Sequence, residues 1–132
     1  MILFLDTTDY NAIRFALTDG KVVRQQKHQL KYNENDKTLL LLDKFLKKHN
    51  LSLRPVPRSK IQVPRIDKVL VCTGPGSFTG TRVGVTIALA LRLALDVKVG
   101  GIKKSQIPSN LRKLLTLKGS KDLKVSYNRP AL

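Results

Sequence analysis

The chain has no tryptophan, one cysteine, one methionine and one glutamate among its 132 residues. A lone cysteine, Cys72, excludes an intrachain disulfide and a cysteine-based zinc cluster. It lies in the apolar run Val69-Leu70-Val71-Cys72 and reads as a core residue. The two histidines, His28 and His49, lack a metal-ligand spacing and read as surface or capping groups. His49 falls near a predicted helix C-terminus, where positive charge is favoured. Aromatic residues make up 5% of the chain and do not interleave with basic ones, which argues against a single-strand stacking platform. Ile2 to Leu5 is too short for a secretion signal and has no basic flank. Val83 to Leu95, the longest apolar stretch, is interrupted by Arg92, which argues against a membrane span. A soluble, cytoplasmic protein is the expectation. Acidic residues are scarce, 9 against 25 basic, giving a net charge of +16. That balance favours nucleic acid or other polyanions, or reports a lysine-rich proteome; charge alone does not choose.

What remains is an ordered series of elements. Met1 to Leu5 predicts a buried strand, Asn11 to Leu17 a second, and Val22 to about His28 a third, with Asp19-Gly20 as the turn between the last two. A helix is expected from about Asp36, its N-cap, to His49. Its apolar arc, Leu39, Leu42 and Leu46 extended by Leu40, Leu41 and Phe45, is wider than one sheet contact needs, and implies a second contact surface. Arg54 to Arg65 holds three prolines and several cations and reads as an irregular connection. Ile66 to Thr73 is a strand parallel to the first. A glycine-rich loop, a largely apolar helix from Val83 to Leu95 and a short strand from Val97 to Gly101 follow. One more helix is placed after Pro108. The expected division is a lobe over residues 1–117 and a basic, mobile tail over 118–132.

The loop, Gly74-Pro75-Gly76-Ser77-Phe78-Thr79-Gly80, sits between a strand and a helix, where loop amides and a helix N-terminus converge on anions. Gly74, Gly76, Ser77 and Thr79, with Asp6 at the end of the first strand, are therefore the candidate phosphate-binding residues, and ATP is the candidate cofactor. The bland alternative is a sharp turn in which Ser77 or Thr79 caps the helix and Asp6 makes an Asx turn with Thr7 and Thr8. No lysine follows the glycines, so the loop is not a P-loop. No second carboxylate is placed for a metal, and no nucleophile triad can be assembled around Ser77. No catalytic residue, metal or obligatory cofactor is expected.

Leu3-Phe4-Leu5-Asp6-Thr7-Thr8, followed by Gly74-Pro75-Gly76-Ser77-Phe78-Thr79-Gly80-Thr81-Arg82-Val83-Gly84, resembles the TsaB (YeaZ) family, which is similar to the glycoprotease-like TsaD family. Asp96-Val97-Lys98-Val99-Gly100-Gly101 extends the match, which runs to about Leu111. The resemblance implies an α/β fold: one lobe of the actin-like ATPase, ribonuclease H-like architecture. Its mixed five-stranded sheet has three antiparallel strands first and helices packed on it. It also implies a role in making threonylcarbamoyladenosine beside the tRNA anticodon, with TsaD carrying the transfer chemistry. The chain would be a non-catalytic partner that pairs with a TsaD-like protein through helices of the first lobe. Leu39, Leu42, Phe45, Leu46, Val83, Ile87 and Leu91 are the candidate interface residues. A TsaE-like ATPase is a further candidate partner, and a homodimer is the alternative assembly in the absence of TsaD.

Three departures qualify the match. Family members usually carry a second lobe, and this chain stops about where that lobe would begin. Glu34-Asn35-Asp36-Lys37 stands where the family has a His-Ser-Glu helix start. The +16 charge is unusual for the family. Together they favour a minimal binding subunit or a fragment over an enzyme. Two alternatives remain: a basic module that holds tRNA through the tail and the Arg54–Arg65 connection, and a nucleotide hydrolase completed by a second chain.

Overall fold

The computed structural model describes residues 1–31, 34–51 and 65–126. Leu3, Leu5, Phe15 and Leu17 alternate with Ile2, Phe4 and Ala16 along the first two strands, and both sets are buried. Strands with two apolar faces must be covered twice. The first set packs under two helices together with Leu42, Phe45, Leu46, Ala88 and Leu91. The second packs with Leu70, Cys72 and Ile102 under Leu111 and Leu114.

The sheet has five strands: β1 (Ile2–Asp6), β2 (Ala12–Thr18), β3 (Val23–Gln29), β4 (Lys68–Cys72) and β5 (Lys98–Ile102). Their spatial order is β3-β2-β1-β4-β5. The β1–β2 and β2–β3 pairs are antiparallel, whereas β1–β4 and β4–β5 are parallel. This is the expected mixed sheet with its antiparallel strands first. Asp19 fixes the β2–β3 turn: its carboxylate accepts from the Lys21 and Val22 amides at 2.8 and 2.9 Å, which holds its pKa below the usual carboxylate value.

Helix α1 (Thr38–Lys48) begins later than the sequence suggests. Asp36 lies inside a 3-10 turn, Asn35–Lys37, and does not cap the helix. The sole glutamate organises this entry: Glu34 accepts from the Lys31 amide at 2.7 Å and pairs with Lys37. The Lys37 ammonium, with the Lys31 amide, lowers its pKa. Helix α2 (Phe78–Leu95) begins earlier than expected, with Ser77 as its N-cap. The Ser77 hydroxyl accepts from the Gly80 amide at 3.2 Å, so the second half of the glycine motif is already helical. By length and composition α2 could cross a membrane, so Arg92 does not exclude it; its Gly80, Thr81, Gly84, Ala88 and Leu91 face is nonetheless buried within the lobe. The expected C-terminal helix is a 3-10 turn, Leu111–Thr116.

Beyond it, Lys118 to Ser126 lies against the sheet. Gly101 and Ser120 exchange two backbone hydrogen bonds of 2.8 Å along the outer side of β5. Ser126 donates its amide to Thr73 O at 2.9 Å and accepts from the Gly76 amide at 3.2 Å.

Candidate functional site

The carboxyl ends of β1 and β4 meet the N-terminus of α2, and glycine makes the meeting close enough. A Cβ on Gly76 would lie 2.4 Å from Thr8 Cβ, one on Gly80 2.3 Å from the Thr7 carbonyl oxygen, and one on Gly84 2.3 Å from Thr7 Oγ1. Gly80 and Gly84, one turn apart, form a bare strip along the start of α2, and Gly76 lies just before its N-cap. Thr7 lies against that strip and Thr8 against Gly76. Thr7 Oγ1 donates to Gly80 O at 2.5 Å, and the Ser77 amide donates to Thr8 O at 2.8 Å. Gly74 turns the chain at φ +107, a conformation that only glycine adopts without strain. The peptide to Pro75 is cis.

The structure therefore brings Asp6, Gly74, Gly76 and Ser77 together, with Thr79 exposed on the first turn of α2. Three of the amides at this turn have protein acceptors already. The Gly76 amide goes to Ser126 O, the Ser77 amide to Thr8 O and the Gly80 amide to Ser77 Oγ. Asp6 Oδ1 accepts from the Thr8 amide at 3.1 Å and from the Thr8 hydroxyl at 2.6 Å, the Asx-type turn. Asp6 Oδ2 lies 3.7 Å from Arg14. Among the described residues no group of three metal-ligating side chains is present. These contacts fix the direction in which α2 leaves the sheet.

Cys72 is buried behind this turn, and burial, reinforced by the Asp6 carboxylate, raises its thiol pKa. A thiol held protonated there is an inert core group. His49 packs edge-on against Phe45 at 4.9 Å between centroids, and burial, with Arg24 and Lys48, lowers its pKa. The neutral form is thus favoured over the cation that its helix-terminal position suggested. Burial also lowers the pKa of His28, whose ring lies 6.0 Å from Phe15.

The candidate interface residues separate into two groups. Leu42, Phe45, Leu46 and Leu91 are buried in this chain's own core and offer no surface to a partner. The sequence showed the width of the apolar arc but not that the sheet consumes most of it. Leu39 remains 51% exposed, and Val83 and Ile87 are half-buried. With Phe78, also 51% exposed, they line a groove of about 580 Å³ between the start of α1 and the outer face of α2. Asp36 and Arg82 stand at the same groove, and the Arg82 guanidinium sits over the Phe78 ring at 5.2 Å. Phe78 faces outward. Its outward placement follows from the Ser77 cap, which sets the helix phase and would have been the signal. Leu40 on α1 and Leu93 on α2, 55% and 83% exposed, are further exposed apolar side chains. The basic connection before β4 lies outside the described residues up to residue 64, as does the end of the chain from residue 127.

Comparison with known proteins places this geometry. Residues 42–107, half of the chain, match the family model described as TsaD: tRNA N6-adenosine threonylcarbamoyltransferase. A Bacillus subtilis (strain 168) protein named tRNA threonylcarbamoyladenosine biosynthesis protein TsaB is 30% identical over 101 residues, covering 76% of this chain and 40% of the relative. A solved structure described as YeaZ from Pseudomonas aeruginosa superposes with a TM-score of 0.62 at 22% identity, covering 77% of this chain and 43% of that one. A second, described as an uncharacterized protein with similarity to peptidase YEAZ from Pseudomonas aeruginosa, has the same score and identity and is covered over 42% of its length. The chain thus spans less than half the length of the proteins it matches, and its sheet and helices form the first lobe of the actin-like, ribonuclease H-like fold.

Proposed function

The chain belongs to the TsaB (YeaZ) family of TsaD-related, glycoprotease-like domains, and from that premise we propose that it is a non-catalytic subunit in threonylcarbamoyladenosine biosynthesis on tRNA. It works in the cytoplasm by pairing with a TsaD-like transferase, with a TsaE-like ATPase as a further member of the assembly. The observation that carries this reading is the apolar groove of Leu39, Phe78, Val83 and Ile87 across the starts of two neighbouring helices. Exposed apolar surface of this kind, rimmed by charged groups, marks a protein-docking site. A non-catalytic role is supported by the glycine turn, whose Gly76, Ser77 and Gly80 amides serve the fold. Nucleotide binding at Asp6, Gly74, Gly76, Ser77 and Thr79 is the less favoured reading for the same reason.

The test is co-purification with a TsaD-like protein. Wild type should form a stable complex. Leu39→Glu and Ile87→Glu should lose it while keeping the wild-type circular dichroism spectrum, because both side chains reach the surface. Leu42 and Phe45 are unsuitable targets, since a charge there disrupts the core. Wild type remaining free of TsaD at micromolar concentrations, as a monomer or as a homodimer, would refute the proposal.

A further inference from the structure

At the β5 edge of the sheet the fold draws cations from four separate stretches into one place. Lys68 and Lys98 are register partners on β4 and β5. Arg92 comes from the last turn of α2, and Lys118 and Lys121 from the segment after the final 3-10 turn. With Val97 and Val99 they line a cleft of about 710 Å³. Backbone contacts hold the cluster in place. Lys68 Nζ donates to Leu117 O at 2.6 Å. Gly119, at φ +72, lies so close to β5 that a Cβ on it would stand 2.8 Å from Gly100 Cα. The paired bonds between Gly101 and Ser120 fix the next residue.

Among the described residues, none of the five cations has a carboxylate partner. Like charges in directly opposed register are destabilising unless a counter-charge is supplied. Lys68 registers the strain: burial, and then the Lys98 ammonium, push its pKa down. The cleft is lined without any aromatic residue, so it offers charge and donors but no stacking surface.

We propose that this cleft is a binding site for the phosphodiester backbone of RNA. The choice of RNA among polyanions rests on the function proposed above; the preference for closely spaced phosphates rests on the cation cluster alone. Contacts of this class position an RNA without reading its bases, and their strength falls with salt through counterion release.

The test is fluorescence anisotropy of a labelled tRNA transcript titrated with the full chain across a salt series, with TsaD absent. Lys98→Ala/Lys121→Ala removes two exposed cations of the cleft, and Lys21→Ala/Lys27→Ala removes two from the opposite edge of the sheet at equal net charge. The cleft pair should weaken binding about tenfold at low salt and flatten the log–log salt slope by about 1.5, as the loss of two phosphate contacts requires. The β3-side pair should leave both unchanged. Equal weakening by the two pairs would reduce the effect to overall charge and overturn the proposal, as would no tRNA binding at low salt. Inorganic tripolyphosphate distinguishes a small-anion site: if it binds the cleft and tRNA does not, the proposal fails. TsaD is absent from the measurement, so a failure of pairing and a failure of RNA binding are separate results.

Discussion

Replacing Gly84 by alanine should destabilise the chain, against the usual direction of such a change in a helix. In a helix interior, Gly→Ala normally gains about 1 kcal/mol from reduced backbone entropy. Here the new Cβ would lie 2.3 Å from Thr7 Oγ1, while the Thr7 carbons sit at ordinary contact distances of 3.4 and 3.5 Å. The clash is thus with one atom, the hydroxyl that donates to Gly80 O at 2.5 Å. Displacing it costs the buried bond, about 1 kcal/mol, and overpacking adds about 1 to 3 kcal/mol. After the propensity gain, a net loss of about 1 to 3 kcal/mol is expected. Urea denaturation followed by circular dichroism should show a lower midpoint at unchanged slope. Thr7→Ala removes the clashing hydroxyl, so the double variant should be no less stable than Thr7→Ala alone, giving a coupling of about 1 to 3 kcal/mol. Gly80→Ala provides the contrast. Its Cβ would meet the Thr7 carbonyl oxygen at 2.3 Å, a backbone atom that Thr7→Ala leaves in place, so there should be no rescue. Gly84→Ala at or above wild-type stability, or simple additivity with Thr7→Ala, would refute the close-packing account.

Other outcomes follow from burial and charge. Leu42→Ala should cost about 2 to 5 kcal/mol by cavity formation, whereas Leu39→Ala should stay within about 0.5 kcal/mol; urea midpoints decide, and equal costs would contradict the inside–outside assignment of α1. His28 and His49 both have folded-state pKa values below the ordinary histidine value. Their contribution to stability is therefore complete above the unfolded pKa and is lost as pH falls from about 6.5 toward the folded values. Thermal melts should decline from pH 7 to pH 5, and His28→Gln/His49→Gln should decline less. Cys72 should resist alkylation by iodoacetamide in the native state and react after unfolding in urea, as its burial and raised thiol pKa require.

Much of the lobe was legible because its signals are local. Strand alternation, the Asp19-Gly20 turn and the apolar runs around Leu3 and Leu70 each carry their own periodicity. The start of α2 was harder. Thr79, Gly80 and Thr81 are poor helix formers, and the Ser77 cap together with the bond from Thr7, 73 residues away in sequence, to Gly80 O offsets that preference. The candidate interface residues were half legible. A helical wheel shows that Leu39, Leu42, Phe45 and Leu46 are apolar, but which of them the sheet takes depends on where α1 sits. The cleft at β5 was signalled only by the basic stretch that holds Lys118 and Lys121. Lys68, Arg92, Lys98, Lys118 and Lys121 show no common spacing and meet only because Gly100 and Gly119 let two backbones approach.

The paired bonds between Gly101 and Ser120 bear on association as well. An open sheet edge is a template on which a foreign strand can add. Ser120 occupies part of the outer edge of β5 from within the same chain. At the other edge, β3 carries Arg24 and Lys27, charges of the kind that discourage a neutral strand from docking. With one margin partly sealed and the other guarded, lateral growth into fibrils or strand-swapped oligomers is suppressed at both ends. Association is thereby steered toward helices and side chains, which discriminate between partners, and away from backbone pairing, which does not.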